Sequence, residues 1–496
     1  MKIDKIVDAI GQADDEMVEK TETYRKPKSK RRWGWLPLTA LGTAAALALG
    51  IFILPLFSGE QLLDPSKNST EYKSQVVKGD YPIILATYPL MAQYPDANKL
   101  ASEEYDAAFD TWWQDRRISA STELVDENAW EEFVQSTLPL FLDTSKGQNA
   151  VYSPINIYLA LAMLAEVADG DSRAQILAAM GLDNINTAAK QAGILWQKHY
   201  IDDGASKSIL ANSFWLADDF VYKKETLERL AEMYFASSFQ GEMGSEDYTN
   251  ALRNWLNEQT GGLLEESIEG IEFDTDTIMA LASTIYFQSR WADEFVSENN
   301  VEQIFHTPKG GVLTEFMTQS RTSTYYWHDK FSAISKNLND MGNIWFILPD
   351  EDVSTSELLN DDAIMELVKA DYDYPNQKYL IVNLSLPKFD ISSDIDLTDG
   401  LKALGITDIF NVAKSDFSAL TENANGIILT KADHAARVTV DEEGVKAAAY
   451  TVLMKCGSAA PPDEKIDFVL DRPFIFVITG NSGLPLFVGV VNNPAA

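Results

Sequence analysis

One cysteine, Cys456, occurs in a chain of 496 residues. No intrachain disulfide can form, and no multi-cysteine zinc or iron–sulfur site can be built. A chain this long without cross-links must be held together by apolar burial. Its residues are 46% apolar and 23% charged, which is ordinary globular usage and excludes a wholly disordered, collagenous or polytopic membrane protein. The length allows two to four average domains or one large one. Lys and Arg number 40 and Asp and Glu 75, a net charge of −35. Such a surface repels nucleic acid and other polyanions.

The charge is unevenly spread. Residues 1–32 carry nine basic and seven acidic side chains, with Arg25, Lys26, Lys28, Lys30, Arg31 and Arg32 crowded at the end. Directly after them, Leu36 to Phe57 holds no charged residue. As a helix this run is roughly 33 Å long, enough to cross a bilayer. Trp33 and Trp35 stand at its entry, and the basic cluster precedes it. These features predict a cytoplasmic basic tail (1–32), a single transmembrane helix (33–57) and everything beyond on the extracellular side. A cleaved signal peptide and a buried soluble helix are the competing readings. Residues 58–125 read as an extracellular stalk, ending in an acidic, aromatic stretch with Tyr105, Phe109, Trp112 and Trp113 that is expected to pack on the main domain.

From about Asp126 the pattern becomes regular. Asn128 and Glu131 have capping-box spacing, and Trp130, Phe133, Val134 and Leu138 form a helical stripe. Ser153-Pro154 supplies a cap and a first-turn proline for a helix over Ile155–Val167. Asp171 or Ser172 caps another helix, stopped by Gly181. Further helical patterns cover Glu225–Phe235 and Thr249–Glu258. The second half alternates with period two: Val382, Leu384 and Leu386, then Val438 and Val440. Pro473–Thr479 and Leu486–Val491 read as buried strands. Helices first and strands later predict an α+β fold around a large sheet.

No catalytic set is visible. The histidines are His199, His306, His328 and His434, none in a zinc-protease pattern. No phosphate-binding or dinucleotide glycine motif occurs. Gly480-Asn-Ser-Gly483 superficially resembles a protease nucleophile loop, but it lies between two apolar strands and reads as a hairpin. No metal or cofactor is expected. The informative stretch starts at Asp441-Glu-Glu-Gly444 and runs through an alanine-rich segment to Pro462. Roughly 20 residues without a structural pattern is long for a compact domain, and long loops are usually functional. Read with period two, it is a latent strand: Val445, Ala447, Ala449 and Thr451 on one side, Lys446, Ala448 and Tyr450 on the other. Composition alone favours a plain surface loop with an alanine run.

Residues 126–496 carry an ordered series of blocks that resembles the serpins. These are Asn149 to Ile157 (NAVYSPINI), Met279 to Phe287 (MALASTIYF) with Trp291, Leu384 to Phe389 (LSLPKF), and Leu404 to Phe410 (LGITDIF). Then come Asp416-Phe-Ser418, Lys431 to His434 leading to Val440-Asp-Glu-Glu-Gly444, Asp471-Arg-Pro-Phe474, Leu486 to Gly489, and Asn493-Pro494. The resemblance implies a large central sheet, further sheets, about nine helices and an exposed reactive loop. It also implies a monomer that traps a serine protease as a covalent acyl complex: the protease cuts the loop, which inserts into the sheet.

By family spacing, the hinge is Glu442, Glu443, Gly444, Val445, Lys446, Ala447, Ala448, Ala449, Tyr450 and Thr451, and the cut falls at Ser458–Ala459. Small residues there suit elastase-like or subtilisin-like proteases. Ser153, Asn156, Ser283 and His434 match the cluster that lets the sheet open. Asn156 and Ser283 stand where the family more often has Ser and Asn, and Tyr450 is larger than the usual hinge residue. The competing reading is a noninhibitory binding module, against which the small-residue hinge argues. The lack of disulfides and the single apolar run suggest a bacterial, membrane-anchored member.

Overall fold

A computed structural model describes residues 72–74, 81–96, 99–142, 147–204, 206–261, 270–339, 342–430, 432–445 and 462–495. All belong to one unit, Ser69–Ala496. The strands, in chain order, begin with β1 (Tyr72–Ser74), β2 (Pro82–Ile84), β3 (Thr87–Pro89), β4 (Ala150–Tyr152), β5 (Ile201–Asp202), β6 (Lys207–Ala217), β7 (Ala236–Gly241) and β8 (Met279–Arg290). The middle set is β9 (Val301–Thr307), β10 (Gly310–Trp327), β11 (Phe331–Leu338), β12 (Gly342–Pro349), β13 (Gln377–Pro387) and β14 (Phe389–Asp396). The last are β15 (Asp433–Val440), β16 (Gly444–Val445), β17 (Lys465–Val469), β18 (Phe474–Thr479) and β19 (Pro485–Val491).

Ten α-helices are present among the described residues: α1 (Ser102–Ser121), α2 (Glu127–Phe141), α3 (Pro154–Val167), α4 (Gly170–Ala179) and α5 (Ile185–His199), then α6 (Lys224–Met233), α7 (Glu246–Gln259), α8 (Thr355–Leu359), α9 (Ala363–Ala370) and α10 (Thr398–Ala403).

Two mixed sheets carry the architecture. One runs β14-β15-β16-β8-β6-β7-β2, with β5 added to β6; the other runs β17-β13-β10-β11-β12-β18-β19-β4, with β9 on β10. Helix α3 packs against a strand of each sheet, β8 and β19. Its sequence is apolar on nearly every side and almost all of it is buried, as a central helix requires. Strands β18 and β19 are buried along their whole length. The Gly480–Gly483 connection is the hairpin expected, with Gly483 at φ +76°. The α+β expectation therefore holds, with ten α-helices among the described residues where about nine were expected.

Several boundaries differ from the sequence reading. Helix α2 is capped by Asp126, whose carboxylate accepts from Ala129 N at 3.0 Å, not by Asn128. Helix α4 is capped by Asp169, one residue before Gly170 at φ +52°, because the Ser172 hydroxyl is engaged elsewhere, accepting from Asp416 N. Helix α3 starts at Pro154 with Ser153 as its cap, as read.

The membrane topology requires correction. Among the described residues no helix is long and apolar enough to cross a membrane, so the single-pass placement finds no support. The apolar run at 36–57 and the basic tail lie outside the described residues. The acidic, aromatic stretch forms α1. Trp112 is buried on the body of the protein and its indole N–H donates to Asp203 Oδ2 at 2.8 Å.

Candidate functional site

The site begins with the way two strands, β8 and β15, face each other in the first of these sheets. Strand β8 pairs with β6 through ten register positions, from Lys207↔Gln288 to Leu216↔Met279. Strand β15 pairs with β14 through eight. On their facing sides both pair with the two-residue strand β16: Val440 opposes Val445, Gly444 opposes Arg290 and Val445 opposes Ser289. Among the described residues β8 and β15 share no ladder with each other. A strand's N–H and C=O groups demand partners, and β16 supplies them at one end of this seam.

Local chemistry holds β16 there. Gly444 has φ +149°, and a Cβ at that position would stand 2.4 Å from the Ser289 carbonyl oxygen. Only glycine lets the backbone approach so closely. The Asp441 carboxylate accepts from Glu443 N at 2.9 Å and Gly444 N at 3.1 Å, closing the turn that leads in. The Trp291 indole donates to the Asp441 carbonyl at 2.8 Å, and Trp291 N donates to Glu443 O at 3.0 Å. Phe295 N donates to Glu442 O at 3.1 Å.

The two hinge glutamates are paired with cations: Glu442 with Lys388 at 2.7 Å, and Glu443 with Arg290 at 3.5 Å. Burial alone would raise the Glu442 carboxyl, but the Lys388 ammonium and the Asn300 amide outweigh it and hold it below the usual glutamate range. Lys336 lies beneath this joint, its ammonium 4.5 Å from the Phe295 ring centroid and 5.2 Å from that of Trp291. Burial brings it down to about 8.

A polar cluster underlies the seam, and it gathers the four residues singled out from the sequence. Ser153 N donates to His434 Nε2 at 3.0 Å, and Asn156 N donates to Ser153 Oγ at 3.3 Å. Asn156 Nδ2 donates to the Ser283 carbonyl at 3.1 Å. The Ser283 hydroxyl lies 3.0 Å from Asn156 Oδ1 and 2.8 Å from Asn212 Oδ1, sharing one proton between two acceptors. The exchange of Asn and Ser between positions 156 and 283 thus keeps a closed network. His434 is buried, and that burial pushes its imidazole down to about 4. The neutral ring accepts at Nε2, so its proton is assigned to Nδ1.

Sequence reasoning missed Asn212, Lys388, Arg290 and Asn300. For Asn212 a signal existed: a lone amide within the long apolar strand LANSFWLA. Residues 446–461 lie outside the described residues, so Lys446, Ala447, Ala448, Ala449, Tyr450, Thr451, Ser458 and Ala459 have no described position. Ser482, in the loop that resembles a protease nucleophile loop, does meet His199 at 2.9 Å, but His199 Nδ1 faces a backbone carbonyl, Leu195 O, at 2.7 Å and the ring is buried. The pair pins a hairpin to α5.

These features define a protein in which a two-residue strand, β16, is paired between β8 and β15. Residues 128–494 match the model of the serpin (serine protease inhibitor) family, and the chain belongs to that family. It is 30% identical over 400 residues to an alpha-1-antitrypsin-like protein of Tamias sibiricus, covering 77% of this chain and 91% of that one. It is 27% identical over 370 residues to Serpin-Z1C of Triticum aestivum, covering 71% and 91%. The native-state structure of the thermophilic serpin Tengpin superposes with a TM-score of 0.63 at 27% identity, covering 75% of this chain and 96% of that one. The curated relatives reported are plant and mammalian, so the expected bacterial, membrane-anchored assignment finds no support in them. The family is one of protease inhibitors, and the chain is not an enzyme.

Proposed function

We propose that the chain is a suicide-substrate inhibitor of serine proteases with elastase-like or subtilisin-like specificity. The observation that carries this is β16, already hydrogen-bonded between β8 and β15 with Val445 buried. The protease serine attacks the Ser458 carbonyl. The Ser458–Ala459 peptide bond breaks, the amine of Ala459 leaves with the proton, and Ser458 becomes an ester of the enzyme. Residues 446–458 then extend β16 along the seam. That segment is about as long as β8, which has 12 residues.

Each new backbone bond adds about 1 kcal/mol, and two flanking strands supply them, so the gain is on the order of 10 kcal/mol. Alternation places Ala447, Ala449 and Thr451 on the buried side with Val445, where small side chains pass. The cluster of Ser153, Asn156, Asn212, Ser283 and His434 ties β8, β15 and β6 to the start of α3, so it governs how the strands part.

The test mixes the full chain with pancreatic elastase and with subtilisin. The expected result is a denaturant-resistant covalent complex with at least one of them. Where the loop is cut without trapping, the thermal midpoint of the cut chain should rise by about 20 °C or more, as for a chain that gains a strand and leaves a metastable state. Cleavage with neither a complex nor a rise in midpoint would sink the reading.

A further inference from the structure

A segment that precedes the family match pairs with one edge of the sheet that holds β8 and packs on the end of α5. Strand β2 pairs antiparallel with β7, the outermost strand of the β8-β6-β7 half-sheet, with Pro82 opposite Phe239 and Ile84 opposite Ser238. Gln240 N donates to Tyr81 O, and Ala86 N to Ser237 Oγ at 3.0 Å. Tyr88 then turns inward. Its ring centroid lies 5.0 Å from Trp196 and 5.3 Å from Tyr200, both at the end of α5, and it is 3% exposed.

The far end is fastened at Asp203, a buried carboxylate in the turn between β5 and β6. Asp203 accepts from the Trp112 indole at 2.8 Å and pairs with Arg116 at 3.4 Å, and its own carbonyl accepts from Tyr94 N at 2.8 Å. Ser119 Oγ donates to Gln197 O, and Lys198 Nζ donates to the carbonyls of Ala120 and Thr122.

Admitting a strand between β8 and β15 requires the two halves of the sheet to separate by about one strand spacing, ~4.8 Å. Ten paired positions make β8 and β6 move as one body, and β7 is laddered to β6 in turn. That body must slide over α5, which packs under α3. The segment is attached on both sides of that sliding surface: at β7 through β2, Ala86 and Tyr81, and at α5 through Tyr88, Ser119 and Lys198.

We propose that residues 81–122 are a brace that resists opening of the sheet and sets how long the loop stays uninserted. The brace fits the starting arrangement. Displacing β7 from α5 strains it, so its contacts favour the uninserted form over the inserted one. This rests on the reading of the seam as a strand acceptor.

Three full-length variants test it. Tyr88→Ala removes the wedge on α5. Trp112→Phe keeps an aromatic ring there and deletes the donor to Asp203. Ile84→Cys with Ser238→Cys, in a Cys456→Ser background, links directly opposed residues of β2 and β7, which suits a disulfide. Each intact protein is held a few degrees below its midpoint, and its passage to a heat-resistant form is timed.

The expected result is a rate raised about tenfold by Tyr88→Ala and about threefold by Trp112→Phe, and lowered by the oxidised cross-link relative to its reduced form, while the midpoint of the loop-cut form moves by less than ~2 °C. Rates within twofold of the parent, or equal losses in the intact and loop-cut forms, would make the segment ordinary packing and overturn the proposal. If cutting the parent's loop brings no heat resistance, the strand-acceptor reading fails by itself. Amide exchange in β6, β7 and β8 then decides for the brace: faster exchange in the loosened variants supports it, unchanged exchange overturns it.

Discussion

At the scale of single residues, His434 makes the native state sensitive to acid. Its imidazole sits near 6.5 in the unfolded chain and is pushed down to about 4 by burial in the fold. Between those values the unfolded chain binds a proton that the native chain refuses. The full contribution is present above about pH 6.5 and is lost as pH falls towards 4, roughly 3 kcal/mol in all. His199 is shifted the same way, so His434→Gln should remove only about half of the slope from this pair. Urea midpoints at pH 7.5 and 4.5 check this, and an undiminished fall in the variant would contradict it. Ser153 and His434 were legible in the sequence because each sits in a recognisable block. Asn212 was legible only as a lone amide in an apolar strand, which says nothing of which carbonyl or hydroxyl it will meet.

At the scale of elements, the proposed insertion takes its parity from the burial of Val445 at 3% exposure. Counting by twos, Ala449 belongs on the buried side and Ala448 on the open side. Ala449→Glu should turn the inhibitor into a substrate: cutting continues, and the yield of covalent complex falls at least ~10-fold, because an unpaired carboxylate costs several kcal/mol to bury. Ala448→Glu should keep most of the yield. Equal effects at both positions, read from complex formed per mole of protease, would refute the register.

Elements with their own periodicity were legible in this way: β13, β15, β18, β19 and α3 were each marked by spacing or a cap. The pairing of β2 with β7 was not. It joins residues some 150 positions apart, and Pro82-Ile-Ile84 is too short to show a period. Only the aromatic stretch of α1, with Trp112, gave notice that this part of the chain would pack.

For the molecule as a whole, the net charge of −35 pushes the compact state apart. Raising ionic strength from 0.1 to 1 M shortens the screening length from ~10 to ~3 Å, and the thermal midpoint should rise by about 3 °C or more in sodium chloride. A falling midpoint would mean that surface pairs such as Arg437–Asp390 and Lys330–Asp361 outweigh the repulsion. The placement of Tyr88 and Trp112 ahead of the family match carries a practical corollary. A gene trimmed to the start of the family match at residue 128 discards both aromatic anchors. Such a fragment would lose potency on storage faster than its parent, and a shelf life measured on it would describe the shortened polypeptide alone.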